Sequence, residues 1–304
     1  MPTKRRVFIS MPGDVWLTQK QNEVKWAVVA EIEKLGYETQ VFVGPSGGQG
    51  LPAGKGWTLA DCDSVMKRCI AAAIIGFPKW RFSIGKDDFR LATEYCHHEG
   101  AVAYTYGLPL LTLAEHGIEP RLLFNPHAGL ELVFIPQNAD TSWLTTKAFL
   151  GPFDNWKRKL ERQRDVFLGY CGSSSGTARN LKRFLEKDLG ASVLDWQTDF
   201  APGRSILHEI EEAATRCSTG IFLFTQDDKV ADAAQASKAV PRDNVVFEAG
   251  FFSHAKGKDR VLIIREEGAK MPADLGGDIY ASLQDRADLS SVEPSVKRFV
   301  EDRL

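Results

Sequence analysis

Cysteine is scarce in this 304-residue chain: there are five, at positions 62, 69, 96, 171 and 217, an odd number with no C-x-x-C pair. That argues against a disulfide framework or a zinc ribbon and suits a reduced, cytoplasmic protein in which cysteines serve as small buried hydrophobes. Long hydrophobic runs are also missing. "AAAIIGF" (71–77) and "GIFLF" (220–224) fall far short of the roughly 20 apolar residues a membrane helix needs, so no membrane partner is expected. The opening "MPTKRRVFISMPGD" carries basic residues but only a short apolar segment before Pro12 and Gly13, which reads as a first strand and not as a signal peptide. Nor is there an excess of charge. Thirty-eight Lys and Arg oppose 40 Asp and Glu, and a net charge of −2 gives no electrostatic reason to expect nucleic acid. The 43% hydrophobic and 26% charged content is that of a globular protein, with length enough for two domains.

What the chain does have is an internal repeat. "RRVFISMPGD" (5–14) and "RDVFLGYCGSSSG" (164–176) are short apolar strands running into small and polar residues. Each precedes an amphipathic helix that ends in a lysine-bearing turn and Gly, at 22–36 and 178–190. A Gly- and Pro-bearing loop follows in both, "GPSGGQGLPAGKGW" (44–57) and "QTDFAPGRS" (197–205). Then come a second helix, a buried-looking strand ("IAAAIIGF" or "STGIFLFT"), a polar loop, and a helix carrying a glutamate among small residues. Those glutamates are Glu99 and Glu248, at the same place in two copies of one unit. Strands alternating with helices predict parallel sheets flanked by helices, with ligands at the carboxyl ends of the strands. The expected organisation is a first domain at 1–152, a charged linker helix at 153–164, and a second domain at 165–304.

Glu248 lies in "RDNVVFEAGFF" (242–252), one carboxylate in a run of valine and phenylalanine. In such surroundings its pKa should rise, unless an ion pair to Arg242 or Arg204 holds it down. A carboxylate there suits the breaking of a ribose C1′–N bond, because it can stabilise or capture the oxocarbenium charge. Around it, Gly203 permits close approach of a ligand. Arg204 and Ser205 begin a helix whose N-terminus favours phosphate. Ser173 sits in a rim loop, "GSSSGT", that lacks the lysine of a P-loop. Tyr170, Trp196 and Phe200 are candidates to stack on a base. In the first copy "HHEG" (97–100) is not a zinc spacing, so no metal is expected, and Trp57 is a candidate stacking or lid residue.

The strings "DVFLGYCGSS", "PGRSILHEIEEAA", "IFLFTQDD", "PRDNVVFEAGFF", "GKDRVLIIREEG" and "MPADLGGDIY" make residues 165–285 resemble the TIR-like domain of bacterial nucleotide-binding proteins that serve as anti-phage effectors. The resemblance implies two tandem flavodoxin-like/TIR-like domains. It implies cleavage of NAD+, as substrate and not as a cofactor, with Glu248 as the catalytic residue and Tyr170, Arg204, Thr225 and Asn244 as nucleotide-binding positions. It further implies a homo-oligomer and a cyclic-nucleotide activator. The first copy's "EGAVAYTYGLPLL" resembles nucleoside 2-deoxyribosyltransferase-like proteins, which makes Glu99 a second catalytic candidate for N-glycosidase or ribosyltransferase chemistry. It lacks the R-D-N string and the G-R-S loop. A third reading is a receptor that binds nucleotides at both sites and turns over neither.

Overall fold

The computed structural model describes residues 5–42, 58–200, 203–231, 237–272 and 280–304. The chain divides into two compact units, Lys4–Arg162 and Gln163–Leu304. Among the described residues no helix is long and apolar enough to cross a membrane.

The first unit runs β1 (Arg6–Ser10), α1 (Gln19–Lys34), β2 (Glu38–Val41), α2 (Leu59–Met66), β3 (Cys69–Gly76), β4 (Trp80–Ile84), β5 (Asp87–Leu91), α3 (Glu94–Thr105), β6 (Leu110–Glu115), β7 (Leu132–Ile135) and α4 (Lys147–Glu161). The second runs β8 (Arg164–Gly169), α5 (Ser175–Arg183), β9 (Val193–Asp195), α6 (Trp196–Asp199), α7 (Ile206–Arg216), β10 (Cys217–Phe224), β11 (Asp228–Ala231), β12 (Ser237–Val240), α8 (Asp243–Lys256), β13 (Val261–Glu266), β14 (Tyr280–Leu283) and α9 (Glu293–Arg303).

Each unit builds one five-stranded parallel sheet. The orders are β2-β1-β3-β6-β7 and β9-β8-β10-β13-β14, the same 2-1-3-4-5 arrangement twice. The central strands are apolar on both faces because helices cover both. Alternation along the strands divides the cores. In β1, Val7 and Ile9 face α1 and α4, while Phe8 faces α2 and α3. In β8, Val166 and Leu168 face α5 and α9, while Phe167 faces α7 and α8. In this order the chain leaves the first strand to opposite sides, and the crevice opened between those connections at the carboxyl edge is the usual ligand position.

Two expectations change. The polar loop after the third strand is in both units an antiparallel hairpin, β4–β5 and β11–β12, inserted before the glutamate-bearing helix. The segment expected as a solvated linker is the latter part of α4, which belongs to the first core. Phe149, Phe153, Trp156 and Leu160 recur at helical spacing and are 6% exposed or less. The Trp156 indole donates to the Pro109 carbonyl at 3.0 Å. The charges that suggested a linker lie on the other face of the helix.

Candidate functional site

Glu99 and Glu248 occupy the sixth residue of α3 and of α8, and both are buried. Their surroundings differ. In the first unit Ser10, the last residue of β1, donates its hydroxyl to Glu99 Oε2. Nearby, Lys25 is wholly buried and donates to the Pro12 carbonyl and to Asp14, each at 2.6 Å. The hydrogen bond and charge of Lys25 hold the Asp14 carboxyl below its ordinary pKa, and burial lowers that of Lys25. A cavity of about 460 Å³ in this unit is lined by one face of α3 (Glu94, His97, His98, Ala101) and by Glu119 and Arg121, but not by Glu99.

In the second unit the residue that ends β8 is Gly169. A Cβ built there would lie 2.9 Å from Glu248 Oε2, so the carboxylate sits over the end of the first strand. Glu248 is 8% exposed, and Oε2 has no hydrogen-bond partner among the described residues. Neither expected ion pair forms. Arg204 pairs with Glu212 at 2.9 Å and Glu209 at 3.6 Å, and Arg242 pairs with Asp228 at 3.3 Å. With burial uncompensated, the Glu248 pKa rises from its ordinary 4.5 to about 7.

Glu248 lines a cleft of about 780 Å³ at the carboxyl edge of the sheet. Tyr170, Cys171 and Gly172, beyond β8, form one wall, with Trp196 and Gln197 beyond β9. Phe200, Arg204, Ile206 and Glu209 come from the segment leading into α7 and from α7 itself. Arg242, Asn244 and Val245 come from the start of α8. Phe200 stacks on the core ring of Phe167, with centroids 6.0 Å apart and planes 14° apart, which fixes its orientation at the cleft. The Tyr170 hydroxyl donates to Asp195 Oδ1 at 2.7 Å, and the Trp196 indole donates to the Tyr170 carbonyl at 3.1 Å. Burial and Asp195 together push the Tyr170 phenol pKa up, so it stays protonated. The cleft is thus bipolar, with two acids on buried helix faces and two arginines exposed at helix starts.

The structure therefore brings Tyr170, Phe200, Arg204, Asn244 and Glu248 to one cleft. Ser173 and Thr225 are not among its lining residues; both hydroxyls donate to Asp227, at 2.6 and 2.7 Å. Ser205 is the N-cap of α7, and its side chain makes no capping bond. Gly203 has φ of +85° with nothing within 4 Å of a built Cβ, so glycine is required there by backbone conformation and not by close packing. Trp57 and its loop lie outside the described residues. Sequence reasoning missed Gln197 and Glu209. Their signal was position: Gln197 is the second residue beyond the carboxyl end of β9, and Glu209 lies one turn into α7 behind the N-cap.

Residues 165–285 match the family model described as "CAP12/Pycsar effector protein, TIR domain". A CD-NTase-associated protein 12 from Lachnospiraceae bacterium (strain RUG226) is 32% identical over 113 residues, 37% of this chain and 35% of that protein. The Pycsar effector protein BcPycTIR from Burkholderia cepacia is 32% identical over 127 residues, 41% of each chain. The Pycsar effector protein PaPycTIR from Pseudomonas aeruginosa is 33% identical over 115 residues, 37% of each. These matches span well under half of each relative's own length.

Proposed function

Because residues 165–285 form a TIR-like domain of the CAP12/Pycsar effector type, we propose that this half is an NAD+ glycohydrolase acting in anti-phage defence, with Glu248 as its catalytic carboxylate. The observation that carries the reading is the buried Glu248 lining the cleft, whose Oε2 has no hydrogen-bond partner among the described residues and whose pKa is raised to about 7 by burial. An uncompensated buried carboxylate is costly to a fold, and such groups concentrate where chemistry uses them.

The chemistry follows from the layout. Cleavage of the ribose C1′–nicotinamide bond sends the bonding electrons to the leaving pyridine nitrogen and puts positive charge on the ribose. Glu248, as carboxylate, stabilises or captures that charge, and water then adds at C1′, releasing ADP-ribose and a proton. A cationic substrate entering beside Glu248 favours its ionised form, so binding itself readies the group. Arg204, Arg242 and the N-terminus of α7 supply positive charge for a pyrophosphate. Phe200 and Trp196 supply flat apolar surface for a ring. On this reading the shared 2-1-3-4-5 strand order is flavodoxin-like. The first unit serves sensing or assembly, and a cyclic nucleotide, as the relatives' names suggest, switches the effector on in an oligomer.

The test is nicotinamide release from NAD+ by purified protein, across protein concentrations and with candidate cyclic nucleotides, for the wild type and for Glu248→Gln and Glu99→Gln separately. Release lost only in Glu248→Gln is expected. Absence of release under all conditions, or equal loss in Glu99→Gln, would overturn the assignment.

A further inference from the structure

The β4–β5 hairpin of the first unit is amphipathic in the inverted sense. Its register sets Trp80, Phe82 and Ile84 on one face with Phe89 and Leu91, and Arg81 and Ser83 on the other with Asp88 and Arg90. Arg90, on the polar face, reaches into the domain: it pairs with the buried Glu115 at the end of β6 and donates to the His116 carbonyl at 3.2 Å. The apolar face is left to solvent. Trp80 and Phe82 are 44% exposed and Ile84 63%. Trp16, 53% exposed, extends the face by packing on Trp80 with ring centroids 6.0 Å apart. Phe82 stacks on Phe89 at 5.4 Å, which gives the face a fixed shape. A two-stranded hairpin is marginal by itself, and a contiguous exposed aromatic face marks a surface that another body covers.

We propose that this face docks a second copy of the chain, the two β4–β5 hairpins packing apolar face to apolar face about a two-fold axis near Phe82. Charge and area single out that occupant. With the hairpins antiparallel, the tip of each lies over the base of the other. The tip carries the exposed Lys86 and Asp87. The base carries Lys79 and Glu94, 3.9 Å apart, with Lys79 Nζ 4.5 Å from the centre of the Trp80 ring. Lys86 then meets the second copy's Glu94 and Asp87 its Lys79, and the two-fold axis makes each pairing twice. A nucleic acid or an anionic membrane gains no such match. Arg81 and Lys86 are balanced by Asp87 and Asp88, and Arg90 is spent on Glu115. Side chains of this size expose on the order of 100 Å² each at these fractions, so the contact with its rim buries about 1,000 Å² over both copies, the lower bound for a specific interface. That size makes the dimer concentration-dependent. The surface lies wholly in the first unit, and the proposal does not rest on the NAD+ reading.

Sedimentation velocity on the full-length protein, across micromolar concentrations, reads the monomer–dimer equilibrium for the wild type and for Phe82→Glu, Ile84→Glu and Lys86→Glu. Reversible dimerisation of the wild type is expected. Either apolar-to-glutamate change should weaken it at least about tenfold and Lys86→Glu about three- to fivefold, with melting temperatures unchanged because all three side chains are exposed. Disulfide trapping then reads the face. Under mild oxidation Phe82→Cys should form an intermolecular bond with its own counterpart, and Arg81→Cys, on the opposite face, should not. A wild type that stays monomeric throughout, a dimer indifferent to Phe82→Glu, or equal trapping from position 81 would overturn the proposal. A monomer that co-sediments with lipid vesicles would also overturn it, by giving the face to a membrane. None of these outcomes bears on nicotinamide release, so the glycohydrolase reading stands or falls separately.

Discussion

The two units place a glutamate at the same helical position above the same strand end, yet the neighbour below each glutamate differs. In the first unit it is Ser10, whose hydroxyl is spent on Glu99. In the second it is Gly169, which has no side chain to spend. The register explains why each neighbour is tolerated. Ser10 lies beside Ile74 on the third strand, whereas Gly169 lies beside Phe222, whose ring fills the space a Cβ would need. A single strand-terminal residue thus separates a satisfied buried glutamate from an unsatisfied one, and only the unsatisfied one opens onto the larger cleft.

The largest expected break in this comparison is catalytic. Glu248→Gln should lower kcat for nicotinamide release by roughly 10³-fold or more, and Glu99→Gln should leave it within about twofold, measured by steady-state product assay. Next comes pH. Below about 7 Glu248 is protonated in the free protein, so kcat/KM should rise with pH and level off above that value. The same shift has a stability sign. Because the folded pKa lies above the ordinary 4.5, the folded state holds the extra proton between the two values, and stability falls as pH rises from about 4.5 to about 7. Glu248→Gln should remove that slope and gain up to about 3 kcal/mol at pH 8, read from denaturant melts at pH 5 and pH 8.

Exchanging the strand-end residues sharpens the comparison further. Gly169→Ala places a Cβ 2.4 Å from the Phe222 ring and 2.9 Å from Glu248 Oε2, and should destabilise by about 1–3 kcal/mol while lowering turnover. Ser10→Ala removes the Glu99 donor and should cost about 1–3 kcal/mol with no effect on turnover. The smallest effect belongs to Arg204→Ala. This half-exposed side chain already shares its charge with Glu209 and Glu212, and its loss should raise KM for NAD+ about two- to tenfold with kcat little changed.

The repeat, the paired glutamates and the parallel sheets were legible because apolar strands and amphipathic helices recur in one order. The cleft was partly legible. Tyr170, Phe200, Arg204 and Asn244 lie beyond strand ends or near helix starts, where position alone suggests ligand contact, and Glu248 lies one turn further along the helix that Asn244 helps to begin. Ser173 and Thr225 fit that positional rule equally well, but their hydroxyls are taken by Asp227, and no pattern in a single sequence reveals such a competitor. The second hairpin is not legible because β11 and β12 are four residues each with no run of apolar alternation, whereas β4 does alternate, as Trp80, Phe82 and Ile84, within a segment that reads as a polar loop. Helix α4 shows the opposite failure. Its stripe of Phe149, Phe153, Trp156 and Leu160 was visible, but the lysines and arginines between these residues drew attention to the solvent face.

That helix also constrains how such proteins can be recombined. A TIR-like half exchanged at residue 152 would strip Phe153, Trp156 and Leu160 from the first unit and leave a cavity where an aromatic stack had been. A swap at Arg162–Gln163 would leave both hydrophobic cores whole. Any lineage, or any engineer, that trades one effector half for another must carry the joining helix with the upstream partner.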